Sequence, residues 1–186
     1  NEQSSEKELL VRFFNGIKKI EPVLVSWNGG GFDLPVIHYR SLLHSVSAPN
    51  YWEVGDNDRE FRFNNFTNRF HWRHVDLMDV LSGFQYRSVA PLHEIALMLG
   101  LPGKQGMDGS EVWNAYKKGE IKAIREYCES DVLNTYLIYL RFEQIRGNLN
   151  ENGLTAELEH ISSALSKNGF SHLNDFLEFC RRDKPT

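Results

Sequence analysis

Cysteine is scarce in this chain: only Cys128 and Cys180 occur, far apart and within sequence that is typical of helices. Such spacing argues against a disulfide framework and against a clustered-cysteine zinc site. The sequence also lacks a run of about 18 apolar residues and a signal-peptide pattern. We therefore expect a soluble, cytoplasmic protein that does not act on membranes.

Positive charge is not in excess either, because the formal net charge is −4. A polyanion site would therefore depend on local basic residues or on metal ions. Hydrophobic residues make up 41% of the 186 residues, which is enough for one globular domain with a small appendage. Because the chain starts at Asn1, without Met, we expect it to be a piece of a longer protein.

The start of the chain shows helix, strand and helix patterns in turn. Ser5 and Glu8 form a capping box in front of a helical repeat of apolar residues. The apolar run 23–27 is typical of a strand buried on both faces. Three glycines then end the strand, and Asp33 begins a capped helix that runs to about Ser45.

The rest of the chain continues this alternation. Segment 60–66 alternates well enough for an edge strand, and segment 70–78 predicts a second strand. Further helices are predicted over the segments 92–99, 121–146, 156–166 and 172–181. Strands alternating with helices favour an α/β domain. We place that domain at residues 1–147, followed by a polar linker and a helical appendage within residues 148–186.

The helix predicted over 121–146 carries one unusual carboxylate. At about 100° per residue, Asp131 falls between Ile124 and Ile138, inside the apolar stripe. A buried carboxylate without a partner is costly or becomes protonated, and a bound cation removes that cost. Tyr127 lies one turn earlier on the same face. In the alternative, Ser130 caps a helix that begins there, and Asp131 is an ordinary first-turn acid.

The glycine turn before Asp33 also has two interpretations. Gly29, Gly30 and Gly31 would let the backbone approach a ligand closely, with Asp33 at the rim where open α/β sheets bind ligands. Alternatively, the glycines only form a tight turn and Asp33 is a plain N-cap. A phosphate-binding loop is disfavoured, since no Gly-Lys-Ser/Thr follows.

Taken together, the two segments match a known pattern. Asn-x-x-x-Phe-Asp (Asn28, Phe32, Asp33) is followed much later by Tyr-x-x-x-Asp (Tyr127, Asp131). This order resembles the second and third motifs of the DEDD superfamily of 3′-5′ exonucleases, in the branch with tyrosine in the third motif. It is similar to the proofreading-type domain related to family B DNA polymerases. The resemblance extends through "DLMDVL", "LHEIALMLGLPGK", "DGSEVW" and "EYCESDVLNTYLIYLRF", roughly over residues 5–147.

The resemblance implies a fold, a chemistry and residue roles. The fold would be ribonuclease-H-like, with a mixed sheet and flanking helices. Asp33 and Asp131 would be catalytic ligands of two Mg²⁺ or Mn²⁺ ions, and Tyr127 would orient the attacking water. Asn28 and Phe32 would contact the terminal nucleotides of a single strand. Hard oxygen ligands suit such ions, which activate water and stabilise a leaving oxygen.

The chain departs from this family in one respect. The family's first motif, Asp-x-Glu on the first strand, has no counterpart in residues 1–21, and the triplet Asp58 to Glu60 comes too late along the chain. The two carboxylates of that motif are therefore missing. Either the chain starts inside the domain, without its first strands, or it is no longer catalytic. We favour the first explanation.

Structural roles are expected for the other polar and aromatic candidates. Asp76 and Asp79 are expected in turns or caps rather than in the site. The histidines 71, 74 and 93 show no metal-ligand spacing. Core packing is expected for Trp52, Trp72 and Trp113, although aromatic rings also stack on bases. A solvated face rather than a phosphate contact is expected for Arg73, Arg87, Lys104 and Lys122.

The resulting hypothesis is a 3′-5′ exonuclease that acts on single-stranded DNA, with RNA as the less favoured alternative substrate and an unidentified replication or repair protein as a further partner. Phosphoryl transfer to water requires positioning and charge compensation rather than a protein nucleophile. One alternative is a nucleic-acid-binding module that keeps the fold without a complete metal site. The other is a structural interaction domain in which Asp131 is a satisfied core acid.

Overall fold

A computed structural model of the chain describes residues 4–104, 106–168 and 173, and the chain forms two compact units, residues 1–89 and 90–186. The architecture is mixed α/β, mostly helical, with a small parallel sheet. The predicted domain boundary at residue 147 falls within the second unit and stays a prediction. None of the described helices combines the length and the apolar character needed to cross a membrane.

The first unit begins with a capped helix and a short strand, as predicted. Its described elements are α1 (Glu6–Ile20), β1 (Leu24–Ser26), α2 (Asp33–His44), a 3₁₀ helix (Arg59–Arg62), β2 (His74–Asp76), α3 (Leu77–Leu81) and a second 3₁₀ helix (Tyr86–Ser88). The capping box is confirmed. The Ser5 hydroxyl accepts the Glu8 backbone N–H at 3.3 Å, and the Glu8 carboxylate accepts the Ser5 N–H at 2.8 Å.

The sheet consists of β1 and β2 in parallel, with Leu24 beside His74 and Ser26 beside Asp76. The strand predicted at 23–27 is confirmed in its centre, but its residues are only half-buried. The physical reason is that β2 is its one neighbour in the described part of the sheet. The register brings the C-terminal ends of both strands together, which is the edge where α/β sheets place ligands.

Two strand predictions in this unit need correction. Segment 60–66 is not an edge strand, because Asp58 caps a 3₁₀ helix there by accepting the Glu60 N–H at 3.0 Å. Phe61 and Phe66 of that segment are buried in a loop core, whereas Phe63 between them is 80% exposed. Segment 70–78 is a strand only in its second half. Its start is a turn closed by the hydrogen bond from the His71 N–H to the Asn68 carbonyl at 3.0 Å.

An aromatic core lies beside the sheet in the first unit. Its buried members are Phe14, Ile17, Ala48, Tyr51, Phe61 and Phe66. Tyr51 is 1% exposed and stacks on Phe66 with ring centroids 5.5 Å apart. Its hydroxyl is 2.9 Å from Nε2 of His38 on α2. Full burial of a large apolar side chain contributes about 1.5–3 kcal/mol, so this core fixes the loop after α2 against α1 and α2.

All regular elements among the described residues of the second unit are helices. Its elements are α4 (Leu92–Met98), a 3₁₀ helix (Gly109–Glu111), α5 (Val112–Lys117), α6 (Ile121–Ile145) and α7 (Glu151–Asn168). The predicted helices 92–99 and 121–146 are confirmed. α6 runs unbroken through Ser130, whose hydroxyl donates to the Glu126 carbonyl at 3.0 Å. The alternative in which a helix begins at Ser130 is therefore wrong.

The helix α6 is the centre of this unit, and α4, α5 and α7 pack against it. Leu137 and Leu140 of α6 form a buried cluster with Leu154 of α7. Because α7 starts at Glu151, the polar linker is shorter than predicted. The helix predicted at 172–181 lies outside the described residues, apart from residue 173.

Candidate active site

The glycine turn, residues 28–32, leads from β1 into α2. Asn28 has a φ of +62°, a left-handed conformation that is uncommon outside glycine and that is enriched at functional sites. Its carbonyl accepts the N–H groups of Gly31 at 3.1 Å and Phe32 at 3.0 Å. A Cβ at Gly29 would overlap the Ser26 side chain, and one at Gly31 would overlap that of Asn28. Gly29 is thus required by close packing, whereas a Cβ at Gly31 would displace the end of the Asn28 side chain.

Asp76, at the C-terminal end of β2, holds this turn in place. The residue is 7% exposed, its Oδ1 accepts the Asn28 N–H and its Oδ2 accepts the Gly30 N–H, each at 2.8 Å. A Cβ at Gly30 would lie only 3.2 Å from Oδ2 of Asp76, so the absence of a side chain there favours the hydrogen bond from the Gly30 N–H to this oxygen. The prediction that Asp76 serves in a turn or cap rather than in the site is wrong, because Asp76 ends β2, makes no side-chain cap bond to α3 and binds the glycine turn. Its link to the glycine turn was not predicted, and the signal for it is the parallel register of the two strands.

Asp33 is the first residue of α2, and Phe32 before it takes the N-cap position without a side-chain hydrogen bond. The interpretation of Asp33 as a plain N-cap is therefore wrong. Partial desolvation raises the pKa of Asp33, its own backbone N–H opposes the rise, and the charge of Asp76 adds to it. Phe32 is 65% exposed and Asn28 is also exposed, so a ring, an amide and a carboxylate are accessible to a ligand beside the turn.

In the second unit, α6 places Tyr127 and Asp131 one turn apart. Desolvation raises the pKa of Asp131, while hydrogen bonding to the Tyr127 hydroxyl and the charge of Lys104 oppose the rise. Desolvation and the Asp131 charge also raise the pKa of Tyr127 far above its ordinary value. The phenol therefore keeps its proton at neutral pH and can donate a hydrogen bond.

One oxygen of Asp131 is buried without a hydrogen bond. Its Oδ1 has no partner among the residues that the structure describes. Buried polar atoms are nearly always paired, and an exception calls for an explanation such as an ion. Because this oxygen lacks a hydrogen bond to the described residues, the interpretation of Asp131 as a satisfied core acid does not fit the structure.

The segment before α5 lies beside this pair. Asn134 is fully buried, its Oδ1 accepts the Gly103 N–H at 3.2 Å and its amide donates to the Gly103 carbonyl at 3.0 Å. The next residue, Lys104, binds Asp108 at 2.7 Å and lies within electrostatic reach of Asp131. Sequence reasoning missed Asn134, although a buried amide one turn after Asp131 was a usable signal. The Lys104 ammonium is paired rather than simply solvated.

The histidines predicted to be structural do form structural hydrogen bonds. His74 Nε2 lies 2.8 Å from the Ser26 hydroxyl, and burial lowers the pKa of His74, partly opposed by the charges of Asp76 and Asp79. Nδ1 of His71 accepts the Asn65 N–H, and Nδ1 of His93 accepts the Lys104 N–H, both at 3.0 Å. These contacts confirm the prediction.

The tryptophans differ from their prediction. The exposed fractions of Trp52, Trp72 and Trp113 are 49%, 46% and 63%. Core packing is therefore wrong for all three. Trp113 instead stacks on Tyr116 at the surface, with ring centroids 5.8 Å apart.

The structure thus assembles two groups of side chains. Asn28, Phe32 and Asp33 lie with Asp76 in the first unit, and Tyr127 and Asp131 lie together in the second. The joining of both groups into one site stays a prediction. Within residues 4–104 and 106–168, no three His, Cys, Asp or Glu side chains are arranged to hold a metal ion. The donor chemistry nevertheless fits Mg²⁺ or Mn²⁺, because these ions prefer carboxylate oxygens and Oδ1 of Asp131 lacks another partner.

The chain is similar to parts of several DNA polymerases. It is 26% identical over 148 residues to the catalytic subunit of DNA polymerase epsilon from Saccharomyces cerevisiae, and the alignment spans 75% of this chain and 6% of that protein. The corresponding protein of Debaryomyces hansenii is 27% identical over 150 residues, with the same 75% and 6% covered. A DNA polymerase of Archaeoglobus fulgidus is 24% identical over 136 residues, covering 72% of this chain and 17% of that protein. The chain therefore spans only a small part of the length of these relatives.

A family comparison covers nearly the whole chain. The matching family is described as predicted 3′-5′ exonuclease related to the exonuclease domain of PolB, and its sequence model matches residues 1–180. No solved structure is a significant match. The resemblance inferred from the motifs around Asp33 and Asp131 is confirmed at the level of the family. The chain belongs to the family of predicted 3′-5′ exonucleases related to the exonuclease domain of PolB.

Proposed function

We propose that this chain is part of a metal-dependent 3′-5′ exonuclease that hydrolyses single-stranded DNA from the 3′ end, with RNA as the less favoured alternative substrate. The observation that carries the proposal is Oδ1 of Asp131, which is buried, lacks a partner among the described residues and belongs to a carboxylate beside a protonated tyrosine. Keeping such a group costs stability, and perturbed carboxylates cluster at functional sites. Family membership supports the same chemistry.

The proposed ligands of two Mg²⁺ or Mn²⁺ ions are Asp33 and Asp131, within a ribonuclease-H-like fold. When bound, such ions lower the pKa of a water and stabilise a leaving oxygen. Asp33 supports this role because it begins α2 without capping it, so that its carboxylate is available to a ligand. Its raised pKa reflects a carboxylate in partly desolvated surroundings, next to the second negative charge of Asp76. A cation would relieve both effects.

The other residues have roles that need no metal. The Tyr127 hydroxyl, which keeps its proton, donates a hydrogen bond and would orient the attacking water. Lys104 favours the ionised form of Asp131 by its charge. Phe32, which is 65% exposed, would stack on a terminal base, a contact worth about 1–3 kcal/mol, and Asn28 would contact the same nucleotides. A cytoplasmic location and a replication or repair partner that presents the strand belong to the same proposal.

The test is cleavage of a 5′-labelled single-stranded oligodeoxynucleotide by the protein that carries this chain, with Mg²⁺ or Mn²⁺, in parallel with an RNA of the same sequence. We expect a ladder that shortens from the 3′ end, faster on DNA, and its loss in Asp131→Asn. The matched control is Glu129→Gln on the same helix, where the lost ion pair to Arg125 lies at the surface. An intact strand that is merely retarded in a gel would favour a nucleic-acid-binding module without catalysis.

A further inference from the structure

A cavity lies next to the glycine turn, entirely within the first unit. Its volume is about 700 Å³, and its lining includes Asn28 and Gly30 of the turn together with Trp52, Phe84 and Tyr86. Phe32 and Asp33, the motif residues on the far end of the turn, do not contribute to this lining. The cavity is therefore distinct from Phe32 and Asp33, although Asn28, which has been given a function above, contributes to its lining.

The aromatic rings of this cavity are unusually accessible. Tyr86 is 91% exposed and Trp52 is 49% exposed, although such large rings are usually buried to a greater extent. Flat aromatic faces that border a cavity are suitable for stacking on a planar ligand. The lining thus favours a planar, mostly uncharged ring as the ligand.

Phe84, which forms one wall of the cavity, has a strained backbone conformation. Phe84 has a φ of +61°, which is a true outlier for a bulky residue and typically costs about 1–3 kcal/mol. Its N–H donates to the Asp79 carbonyl at 2.8 Å, and its ring meets the edge of Phe70 with centroids 4.8 Å apart. The guanidinium of Arg69 lies 5.4 Å from the centroid of the Phe84 ring. Strain that neighbours maintain in this way is typical of ligand sites.

The charged side chains of the cavity lining are the guanidinium of Arg69 and the carboxylates of Asp76 and Asp79, so the position for an anionic group is at Arg69. The Arg69 side chain is 53% exposed and uses one nitrogen for its ion pair with Asp79, at 2.9 Å. Both oxygens of Asp76 accept backbone N–H groups. The two carboxylates of the lining are therefore occupied, while a guanidinium carries five donors in a fork that suits phosphate. An aromatic ring joined to a phosphate meets these requirements.

We propose that this cavity binds an unpaired nucleobase of a single strand, stacked on Tyr86 and Trp52, with the adjoining phosphate at Arg69. The inference rests on the proposed function, because it assigns a second nucleotide position on the same substrate. The cavity shares Asn28 and Gly30 with the turn that leads into Asp33, so a base bound here lies beside the strand end. The site would fix the strand without taking part in cleavage.

The test measures binding without cleavage, as fluorescence anisotropy of a labelled oligothymidylate with EDTA present. A stacking contact of about 1–3 kcal/mol predicts that Tyr86→Ala weakens affinity roughly 5- to 150-fold, and that Tyr86→Phe retains it. The matched control is Phe63→Ala, which removes an 80% exposed ring of the same unit that is outside the cavity lining. We expect the control to bind within about 2-fold of the wild type.

A second variant tests the phosphate contact. Arg69→Gln is expected to reduce the slope of log affinity against log salt by about 0.7, the value for one phosphate contact on a single strand. Equal affinities for Tyr86→Ala and Phe63→Ala would overturn the proposal. Displacement of the oligonucleotide by an equal concentration of thymidine monophosphate would overturn the assignment to a strand.

The two proposals fail in distinguishable ways. Cleavage that depends on Asp131, combined with binding that ignores Tyr86, would overturn the nucleobase site and leave the exonuclease intact. Binding that depends on Tyr86, without any metal-dependent shortening of the strand, would overturn the exonuclease and leave a single-strand site.

Discussion

The carboxylate of Asp76 accepts the backbone N–H of Asn28 at 2.8 Å, across 48 positions of sequence. A second bond of the same length to Gly30 completes the link between the end of β2 and the turn after β1. The pair supports Asn28 in its left-handed conformation. Because the turn leads directly into α2, Asp76 positions the start of the helix that carries Asp33.

Asp76→Asn is expected to destabilise the first unit. An amide offers a single acceptor oxygen, so one buried backbone N–H loses its partner and faces an NH₂ group instead. The cost of such an unsatisfied donor is about 1–3 kcal/mol in the free energy of unfolding. Urea denaturation measures this, with Asp56→Asn, at an exposed position, as the control expected to stay within about 0.5 kcal/mol. Equal stability of both variants would contradict the role of Asp76.

Asn134→Ala is expected to release the segment that carries Lys104. Truncation leaves the N–H and the carbonyl of Gly103 without their side-chain partner, at about 1–3 kcal/mol for each buried group. Urea denaturation of the chain checks the loss. Asn114→Ala, at an exposed position on α5, is the matched control and should change the stability little. A loss in the control as large as that in Asn134→Ala would show that the amide bonds to Gly103 are unimportant.

Tyr127→Phe is expected to slow cleavage and to leave Mn²⁺ affinity unchanged. The substitution removes a hydroxyl that orients water but no proposed metal ligand, so we expect roughly a 10- to 100-fold lower kcat, at or below the range for acid–base groups. Single-turnover cleavage and Mn²⁺ calorimetry measure the two quantities. Tyr116→Phe, whose ring is 58% exposed on α5, is the control. A loss of metal affinity in Tyr127→Phe would make the hydroxyl a structural support of Asp131.

Acid should weaken the contact between α1 and α2. The side chains of Arg40 and His44 bind Glu6 and lower the pKa of this carboxyl from 4.5 to about 2. A lowered folded-state pKa stabilises the fold above the unfolded value, and this stability is lost as pH falls from 4.5 to about 2. Glu6→Gln should remove this part of the pH dependence. Unfolding free energies over that range test it, with Glu21→Gln as the control, and identical curves for Glu6→Gln and the wild type would contradict it.

Local signals predicted the long helices α1 and α6 well, whereas the short helices α3 and α5 were not predicted. The capping box at Ser5 and the stretch without proline or glycine in α6 depend only on neighbouring residues, and both elements formed as predicted. The strand predicted at 60–66 failed because Phe61 and Phe66 are buried in a loop core while Phe63 is exposed, a tertiary arrangement that the local pattern does not reveal. The prediction of short strands from local sequence is similarly limited, since β2 is defined by its pairing with β1 rather than by its own sequence.

The motif residues of the candidate site were predictable, and their supports were not. Asp131 and Tyr127 were identified from their place on the apolar face of a helix, Asp33 from the glycine turn before it, and all three from the family resemblance. The contact of Asp76 with the glycine turn depends on the register of two strands, and the Asn134 bonds to Gly103 depend on helix packing. Such long-range pairings cannot be obtained from the local sequence pattern. The solvent exposure of the Trp52 and Tyr86 rings was likewise evident only from the structure.

We propose that Asp33 and Asp131 bind the same divalent ions. Mn²⁺ affinity measured by calorimetry for Asp33→Asn, Asp131→Asn and the double variant tests it most directly, because residues that share a ligand give non-additive losses. We predict that each single substitution removes most of the affinity and that the double variant is little worse than either, whereas Asp56→Asn binds normally. Losses that add, or Mn²⁺ binding that survives either substitution, would contradict the account.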